Sequence, residues 1–264
     1  MRGVSRQGGC GTADRRGDVV VSSEAPAQPA EWRVALVSGG NRGLGLQLVR
    51  RLALLGMRVV LGSRLLADGH AAIDRLGDMA DRVAVRQLDI TDADSVARLV
   101  GWMTHRLGRC DVLVNNAAVL MEEDDGGSST DVPLDVVRRT METNLLGTWR
   151  LTQAIVPLMR ARRYGRIVNI SSDLGSLASM RRGFPAYRAS KTAVNALTRM
   201  LADELAHDGI LVNSCSPEPL WPDGGEGVAA LRLSASSRAP LWLATLPDDG
   251  PTGGFYRDHQ SVDW

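Results

Sequence analysis

The chain has 264 residues, of which 44% are hydrophobic and 23% are charged, and its 31 cationic and 30 anionic side chains leave a net charge of +1. This composition is typical of a soluble globular protein, and the small net charge gives no field that would attract nucleic acid or an anionic membrane surface. No apolar run approaches the roughly 20 residues that a membrane-spanning helix needs, so neither partner is expected.

Cysteine and histidine spacing predicts neither a disulfide framework nor a metal site. Cys10, Cys110 and Cys215 are far apart, and the four histidines are scattered. Glycines and polar residues stand where a secretory signal would carry an apolar stretch. We therefore expect a cytoplasmic protein in which residues 1–31 form a disordered tail and residues 32–264 form one domain.

From Trp32 onward, short apolar runs alternate with longer amphipathic segments, the pattern of repeated strand–helix units in a parallel sheet. Seven strands are predicted, at 33–38, 58–62, 83–88, 111–115, 166–171, 210–214 and 254–257. Helices are predicted at 44–55, 92–107, about 134–162 and about 184–207, from apolar residues at three- and four-residue spacing. The predicted fold is a single doubly wound (Rossmann) α/β domain with a seven-stranded parallel sheet flanked by helices. Ligands bind beyond the carboxyl ends of the strands in such sheets, so functional residues are expected in the loops there.

A glycine-rich turn joins the first predicted strand to the first helix. In this turn Gly39 permits a tight bend, Gly43 lets the backbone approach a pyrophosphate, and Gly45 allows close packing of helix on sheet. The helix N-terminus favours negative charge. A plain turn without a ligand is the alternative. The candidate nucleotide-binding residues here are Gly39, Asn41, Arg42, Gly43, Leu44 and Gly45.

The end of the second predicted strand indicates which nucleotide is preferred. NAD-binding units usually carry an acidic residue there for the ribose 2′-hydroxyl, but this strand ends in Leu61-Gly62-Ser63-Arg64. Arg64, together with Arg42, is suited to clamp a 2′-phosphate. We therefore expect NADP(H); the alternative is that each arginine is one more solvated cation in an arginine-rich chain.

Lysine occurs only once, at Lys191, four residues after Tyr187 in a predicted helix. Side chains four apart share one helix face. A tyrosine has a reference pKa of about 10, and a nearby ammonium would lower it by favouring the phenolate. The pair therefore predicts that Tyr187 transfers a proton. The alternative is that the single lysine occurs at this position by chance.

With these motifs the chain resembles the short-chain dehydrogenase/reductase superfamily, over roughly residues 33–215 and again from about 240. The glycine turn resembles the TGxxxGxG loop of that family, residues 115–118 (NNAA) resemble its NNAG element, and Tyr187 with Lys191 matches YxxxK. The turn sequence NRGLG and the segments 242–246 and 250–254 resemble the monomeric-carbonyl-reductase-like, NADPH-using branch.

The resemblance implies a metal-free carbonyl reductase or alcohol dehydrogenase acting on a small or medium-sized ketone or aldehyde. In this mechanism Ser172 would hydrogen-bond the substrate carbonyl, Tyr187 would donate the proton, Lys191 would hold the nicotinamide ribose, and Asn144 would steady a water relay. Tyr187 would bind the cofactor together with Lys191. Ser171 is the alternative to Ser172, because a shift of one residue turns a strand side chain to the other face. The resemblance also implies that Asp89 contacts the adenine and that Asn116 positions the adenosine ribose side, although both types are common turn formers.

One segment departs from the family pattern. Glu218 stands where a glycine is expected and Pro222 where a threonine is expected, within an atypical loop at 216–237. Divergence in a substrate loop, loss of catalysis with retained nucleotide binding, and a sequence error are all open. The alternative function is therefore a catalytically impaired NADP(H)-binding or sensor protein, and the sequence leaves monomer or homo-oligomer undecided.

Overall fold

The computed structural model describes residues 32–122, 128–217 and 234–264. The predicted tail at 1–31 lies outside the described residues, as do Glu218 and Pro222 of the atypical loop. Within the described ranges, no helix is long and apolar enough to cross a membrane. The same ranges hold no group of three or more His, Cys, Asp or Glu side chains that could bind a metal ion.

The strands form one mixed sheet in the order β3-β2-β1-β4-β5-β6-β7-β8. They are β1 Val34–Ser38, β2 Arg58–Ser63, β3 Val83–Gln87, β4 Val112–Asn115, β5 Gly165–Ile170, β6 Ile210–Cys215, β7 Phe255–Arg257 and β8 Gln260–Ser261. β1 to β7 pair in parallel, and β8 pairs antiparallel to β7. The predicted doubly wound α/β fold is confirmed, but its count of seven strands misses β8. That strand has two exposed polar residues, so it gives no hydrophobic pattern.

The helices are α1 Gly43–Leu54, α2 Leu66–Ile73, α3 Ala93–Arg106, α4 Leu134–Met141, α5 Thr148–Arg160, α6 Pro185–Leu205 and α7 Arg238–Ala244. The sequence predicted one helix over 134–162, whereas a π-helical segment, Glu142–Gly147, separates α4 from α5. α6 begins after Phe184, whose φ of 49° places it in the left-handed region. The short helices α2 and α7 were not predicted.

Both faces of the sheet are covered by apolar side chains. Ala35 and Val37 of β1 belong to one buried cluster, and Val34 and Leu36 belong to another, because successive strand residues point to opposite faces. Buried residues of α1 and α7 complete the first cluster, and those of α3, α5 and α6 complete the second. This double coverage explains why the central strands are continuous apolar runs.

The chain reverses its direction of travel across the sheet between β1 and β4. β1 pairs with β2 on one side and with β4 on the other. After β1 the chain continues toward β2, and after β4 it continues in the opposite direction toward β5, which leaves a crevice above the carboxyl ends of β1 and β4. A crevice at such a switch point is where open α/β sheets bind ligands. The glycine turn and residues 115–118 therefore meet at this point.

A buried ion pair joins the amino ends of β1 and β4. Asp111 is fully buried and accepts a hydrogen bond of 2.7 Å from the Val34 backbone N–H. The Arg109 guanidinium donates two further bonds of 2.7 Å to the same carboxylate. Both carboxylate oxygens are thereby paired, which offsets the cost of burying their charge.

We expect Asp111→Ala to destabilise the protein by about 3 kcal/mol, because it leaves the Val34 N–H and a mostly buried guanidinium without their partner. Urea unfolding measures this change. Asp135→Ala is the matched control, since Asp135 pairs with Arg139 on the exposed surface of α4 and such pairs contribute little. Equal losses for the two variants would contradict the structural role of Asp111.

Candidate active site

The backbone of the glycine turn adopts conformations that residues with a Cβ atom rarely adopt. Gly39 and Gly43 have φ values of 63° and 53°, in the left-handed region that favours glycine. A Cβ at Gly45 would clash with the Gly39 carbonyl oxygen, so only glycine fits there. A Cβ at Gly43 would meet no atom within 4 Å, so the backbone at this residue faces open space. The turn therefore has a backbone surface that a phosphate can approach closely.

Other residues of the turn differ in their exposure. The side chain of Leu44 is buried in the core, Asn41 is half-buried, and Arg42 is exposed. Arg64, directly after β2, is also exposed. Within the described residues, neither of these two guanidinium groups takes part in an ion pair or hydrogen bond, so both are available to an anionic ligand.

Asn116 closes the glycine turn against the end of β4. Its Nδ2 donates to the carbonyl oxygens of Ser38 and Gly39 at 2.9 and 3.0 Å, and its backbone N–H donates to the Ser38 hydroxyl at 3.0 Å. Asp89, after β3, instead bonds locally, because its Oδ1 accepts from the Thr91 N–H and hydroxyl at 2.9 and 2.7 Å. Asn116 therefore shapes the nucleotide loop through its amide, and Asp89 holds a turn at the same edge of the sheet.

Tyr187 and Lys191 lie in the first two turns of α6. The Lys191 Nζ is 5.5 Å from the centre of the Tyr187 ring, and it donates a hydrogen bond of 2.7 Å to the Ile170 carbonyl at the end of β5. Only 3% of the Lys191 surface is exposed. Burial lowers the pKa of Lys191 to about 8, an effect that the neighbouring Cys215 partly opposes.

Ser172 lies just after β5, and its hydroxyl accepts a hydrogen bond of 3.2 Å from the Leu174 N–H. Burial raises the pKa of Tyr187, and the hydrogen bond with the Ser172 side chain opposes this rise. Ser171 instead points its hydroxyl at the Lys191 backbone carbonyl, 3.4 Å away. The sequence expectation that the ammonium lowers the pKa of Tyr187 is therefore wrong for this arrangement, because burial outweighs the neighbouring groups.

Asn144 lies in the π-helical segment and is 1% exposed. Its Oδ1 accepts from the Val119 N–H at 2.8 Å, and its Nδ2 donates to the Val119 carbonyl at 2.9 Å and to the Ser190 hydroxyl at 3.0 Å. The Ser190 hydroxyl donates in turn to the Tyr187 carbonyl at 2.7 Å. Asn144 thus links the loop after β4 to the helix that carries Tyr187.

Sequence reasoning missed Glu122 and Ser190 as residues of this site. The Glu122 carboxylate accepts from the Ala186 and Tyr187 N–H groups at 2.8 and 2.9 Å. Glu122 opens an acidic, glycine-rich segment, and its partners are more than 60 residues away, so no local spacing marks it. Ser190 lies inside the YxxxK element, where only its position between Tyr187 and Lys191 offered a signal.

The chain is similar to proteins of one known family. The pattern of the short chain dehydrogenase family matches residues 33–224. This chain belongs to that family. Human carbonyl reductase [NADPH] 3 is 32% identical, with 88% of this chain and 98% of the relative covered. The solved structure of menthone neomenthol reductase from Mentha piperita is 28% identical, with a TM-score of 0.71 over 86% of this chain and 98% of that one. The structure of ElxO with NADP bound, at 24% identity and a TM-score of 0.76 over 85% and 96% of the two chains, shares the fold.

Burial of the charged Lys191 ammonium lowers the stability of the folded protein at neutral pH. An unfolded lysine has a pKa of about 10.4, whereas the pKa of Lys191 in the fold is about 8. Between these pH values the unfolded chain binds more protons than the folded one, so the contribution of Lys191 to stability rises with pH. Below about pH 8 both states carry the charge, and the fold bears a cost of about 3 kcal/mol.

We expect Lys191→Met to lose its relative stability as pH rises. From pH 7 to about pH 10.5, the free energy of unfolding of the variant should fall by about 3 kcal/mol relative to the wild type. Urea unfolding of both proteins across this range measures the difference. Burial raises the pKa of the Cys110 thiol, which weakens both proteins at high pH and cancels in the comparison, because Lys191 does not act on Cys110. A difference that is independent of pH would contradict a buried ammonium.

Proposed function

We propose that the protein is an NADP(H)-dependent oxidoreductase that reduces a ketone or aldehyde to an alcohol, with Ser172, Tyr187, Lys191 and Asn144 as its site. The observation that carries this proposal is the position of the buried Lys191 ammonium, which is held by the Ile170 carbonyl at 2.7 Å and lies 5.5 Å from the centre of the Tyr187 ring. Ser172 follows the same strand end, and its side chain opposes the rise that burial causes in the pKa of Tyr187. A phenol and a serine hydroxyl at one end of the sheet can each donate a hydrogen bond to the same carbonyl oxygen. The carbonyl reductases among the relatives support the same reaction.

The residues around the glycine turn fit a dinucleotide that carries a 2′-phosphate. The open backbone at Gly43 suits a pyrophosphate, and the exposed Arg42 and Arg64 suit a further phosphate group. β2 ends at the buried Ser63, which donates its hydroxyl to the Leu65 carbonyl, so no carboxylate stands there to repel a phosphate. The names of two relatives, which specify NADPH, support this preference.

Each residue of the site has a defined task in the proposed reaction. Bound NADPH supplies the hydride. The Ser172 hydroxyl orients the carbonyl oxygen, and the Tyr187 hydroxyl donates the proton to that oxygen. Because burial raises the pKa of Tyr187, the phenol is protonated at neutral pH, as a proton donor must be.

Four further residues hold the cofactor or position parts of the site. The Lys191 ammonium, fixed by the Ile170 carbonyl, holds the nicotinamide ribose. Asn144 acts through its bonds to Val119 and Ser190, which set the backbone on both sides of the site, in addition to the water relay that the family resemblance implies. Asp89 contacts the adenine, and Asn116 maintains the loop on the adenosine ribose side.

We expect Tyr187→Phe to reduce kcat by a factor of about 10² to 10⁴, because the proton donor is removed, while the affinity for NADPH stays within about twofold of the wild type. Carbonyl-dependent oxidation of NADPH measures the first quantity, and nicotinamide fluorescence measures the second. Tyr164→Phe is the matched control. Tyr164 directly precedes the amino end of β5, whereas the site lies at the carboxyl ends of the strands. The Tyr164 hydroxyl is buried without a hydrogen-bond partner among the described residues. Unchanged kcat in Tyr187→Phe would overturn the proposed role.

We expect the wild type to bind NADPH more tightly than NADH, and Arg42→Ala and Arg64→Ala each to weaken NADPH binding by about tenfold with little effect on NADH. Calorimetric titration measures the affinities. Arg160→Ala is the control, because Arg160 lies at the C-terminal end of α5, away from the switch point, and pairs with Asp208. Binding of NADPH without turnover of any carbonyl would favour the sensor alternative, and no binding of either nucleotide by folded protein would overturn both.

A further inference from the structure

The helix that carries Tyr187 has no cap of its own. Its N-cap residue, Phe184, makes no side-chain capping bond, Pro185 has no N–H, and the first turn carries no acidic residue. The first bond to a preceding carbonyl runs from the Arg188 N–H to the Phe184 carbonyl at 2.8 Å. The N–H groups of Ala186 and Tyr187 therefore have no acceptor within the helix.

Glu122 supplies the missing acceptors from the loop after β4. One carboxylate oxygen accepts from the Ala186 N–H at 2.8 Å, and the other accepts from the Tyr187 N–H at 2.9 Å. A carboxylate is well suited to this position, because the N-terminal end of a helix carries partial positive charge. The bonds join Tyr187 directly to a residue 65 positions earlier in the chain.

The loop that presents Glu122 is itself attached to the same helix. Asn144 makes two bonds to the backbone of Val119, three residues before Glu122, and a third to Ser190, which bonds the Tyr187 carbonyl. The backbone of Tyr187 is thus bonded at its N–H by Glu122 and at its carbonyl by Ser190. Both bonds lead back to the segment 119–122.

We propose that Glu122 is a positioning residue for Tyr187: its carboxylate caps α6 and fixes the first helical turn, so that the phenol meets the substrate carbonyl in one orientation. The functional part of this inference rests on the proposed reductase activity. Lys191 lies one turn further along α6 and is held separately by the Ile170 carbonyl. Loss of the cap therefore affects proton donation and leaves nucleotide binding intact.

Amide hydrogen exchange tests the cap without any activity measurement. In Glu122→Ala, the Ala186 and Tyr187 amides should exchange about five- to tenfold faster than in the wild type, because a lost cap exposes first-turn N–H groups. Glu122→Gln keeps one acceptor oxygen and should give an intermediate rate. Asp131→Ala is the matched control: it removes an exposed carboxylate from the same connection between β4 and α4, and within the described residues Asp131 makes no side-chain bond to α6.

Steady-state kinetics test the consequence. Glu122→Ala should lower kcat by about tenfold or more, since small misplacements of a catalytic group have large effects, while the dissociation constant of NADPH changes less than about twofold. Glu122→Gln should recover part of kcat, and Asp131→Ala should match the wild type. A parallel loss of nucleotide affinity would indicate a general structural defect and would overturn the proposal.

The two measurements separate the possible failures. Unchanged exchange of the Ala186 and Tyr187 amides in Glu122→Ala would overturn the capping role, whatever the activity. Faster exchange with unchanged kcat would overturn the positioning role. If the wild type reduces no carbonyl, the proposed function fails and with it the catalytic consequence, whereas the exchange rates still decide whether Glu122 caps the helix.

Discussion

The buried ammonium of Lys191 donates a hydrogen bond to the carbonyl of Ile170, and the arrangement of the active site depends on this contact. An ammonium removed from water needs a partner, because its desolvation is otherwise very costly. The bond fixes the second turn of α6 against the end of β5. Ser172 follows that strand end by two residues, and Tyr187 precedes the lysine by one helical turn, so the same contact holds both residues at the carboxyl end of β5.

The segment after β4 connects the two halves of the site. Its beginning, Asn116, closes the glycine turn at the nucleotide side. Its middle, Val119, is bound to Asn144 in the π-helical segment, and its end, Glu122, caps the helix of the proposed proton donor. A π-helical turn often occurs at functional sites, and here it holds the Asn144 amide against a backbone segment outside the helix. This one segment therefore contacts the nucleotide loop through Asn116 and the helix of Tyr187 through Glu122, by separate bonds.

The sequence predicted those parts of the structure that local patterns determine. The central strands were placed to within one or two residues, because strands buried on both faces are continuous apolar runs. The glycine turn and the pair Tyr187 and Lys191 were found from spacing alone. The bonds of Asn144 and Glu122 could not be predicted, since their partners are 25 and 64 or 65 residues away. The pKa direction of Tyr187 was wrong because spacing reports which groups are near but not how deeply they are buried.

Burial moves both ionisable groups of the site toward their neutral forms, with opposite effects on pKa. It raises the pKa of Tyr187, which is neutral when protonated, and lowers that of Lys191, which is neutral when deprotonated. With a pKa of about 8, Lys191 is still largely charged at neutral pH and can bind hydroxyl groups as a donor. The phenol is protonated at the same pH. Carbonyl reduction requires a proton donor, and in the proposed reaction the protonated phenol of Tyr187 meets this requirement beside the charged Lys191.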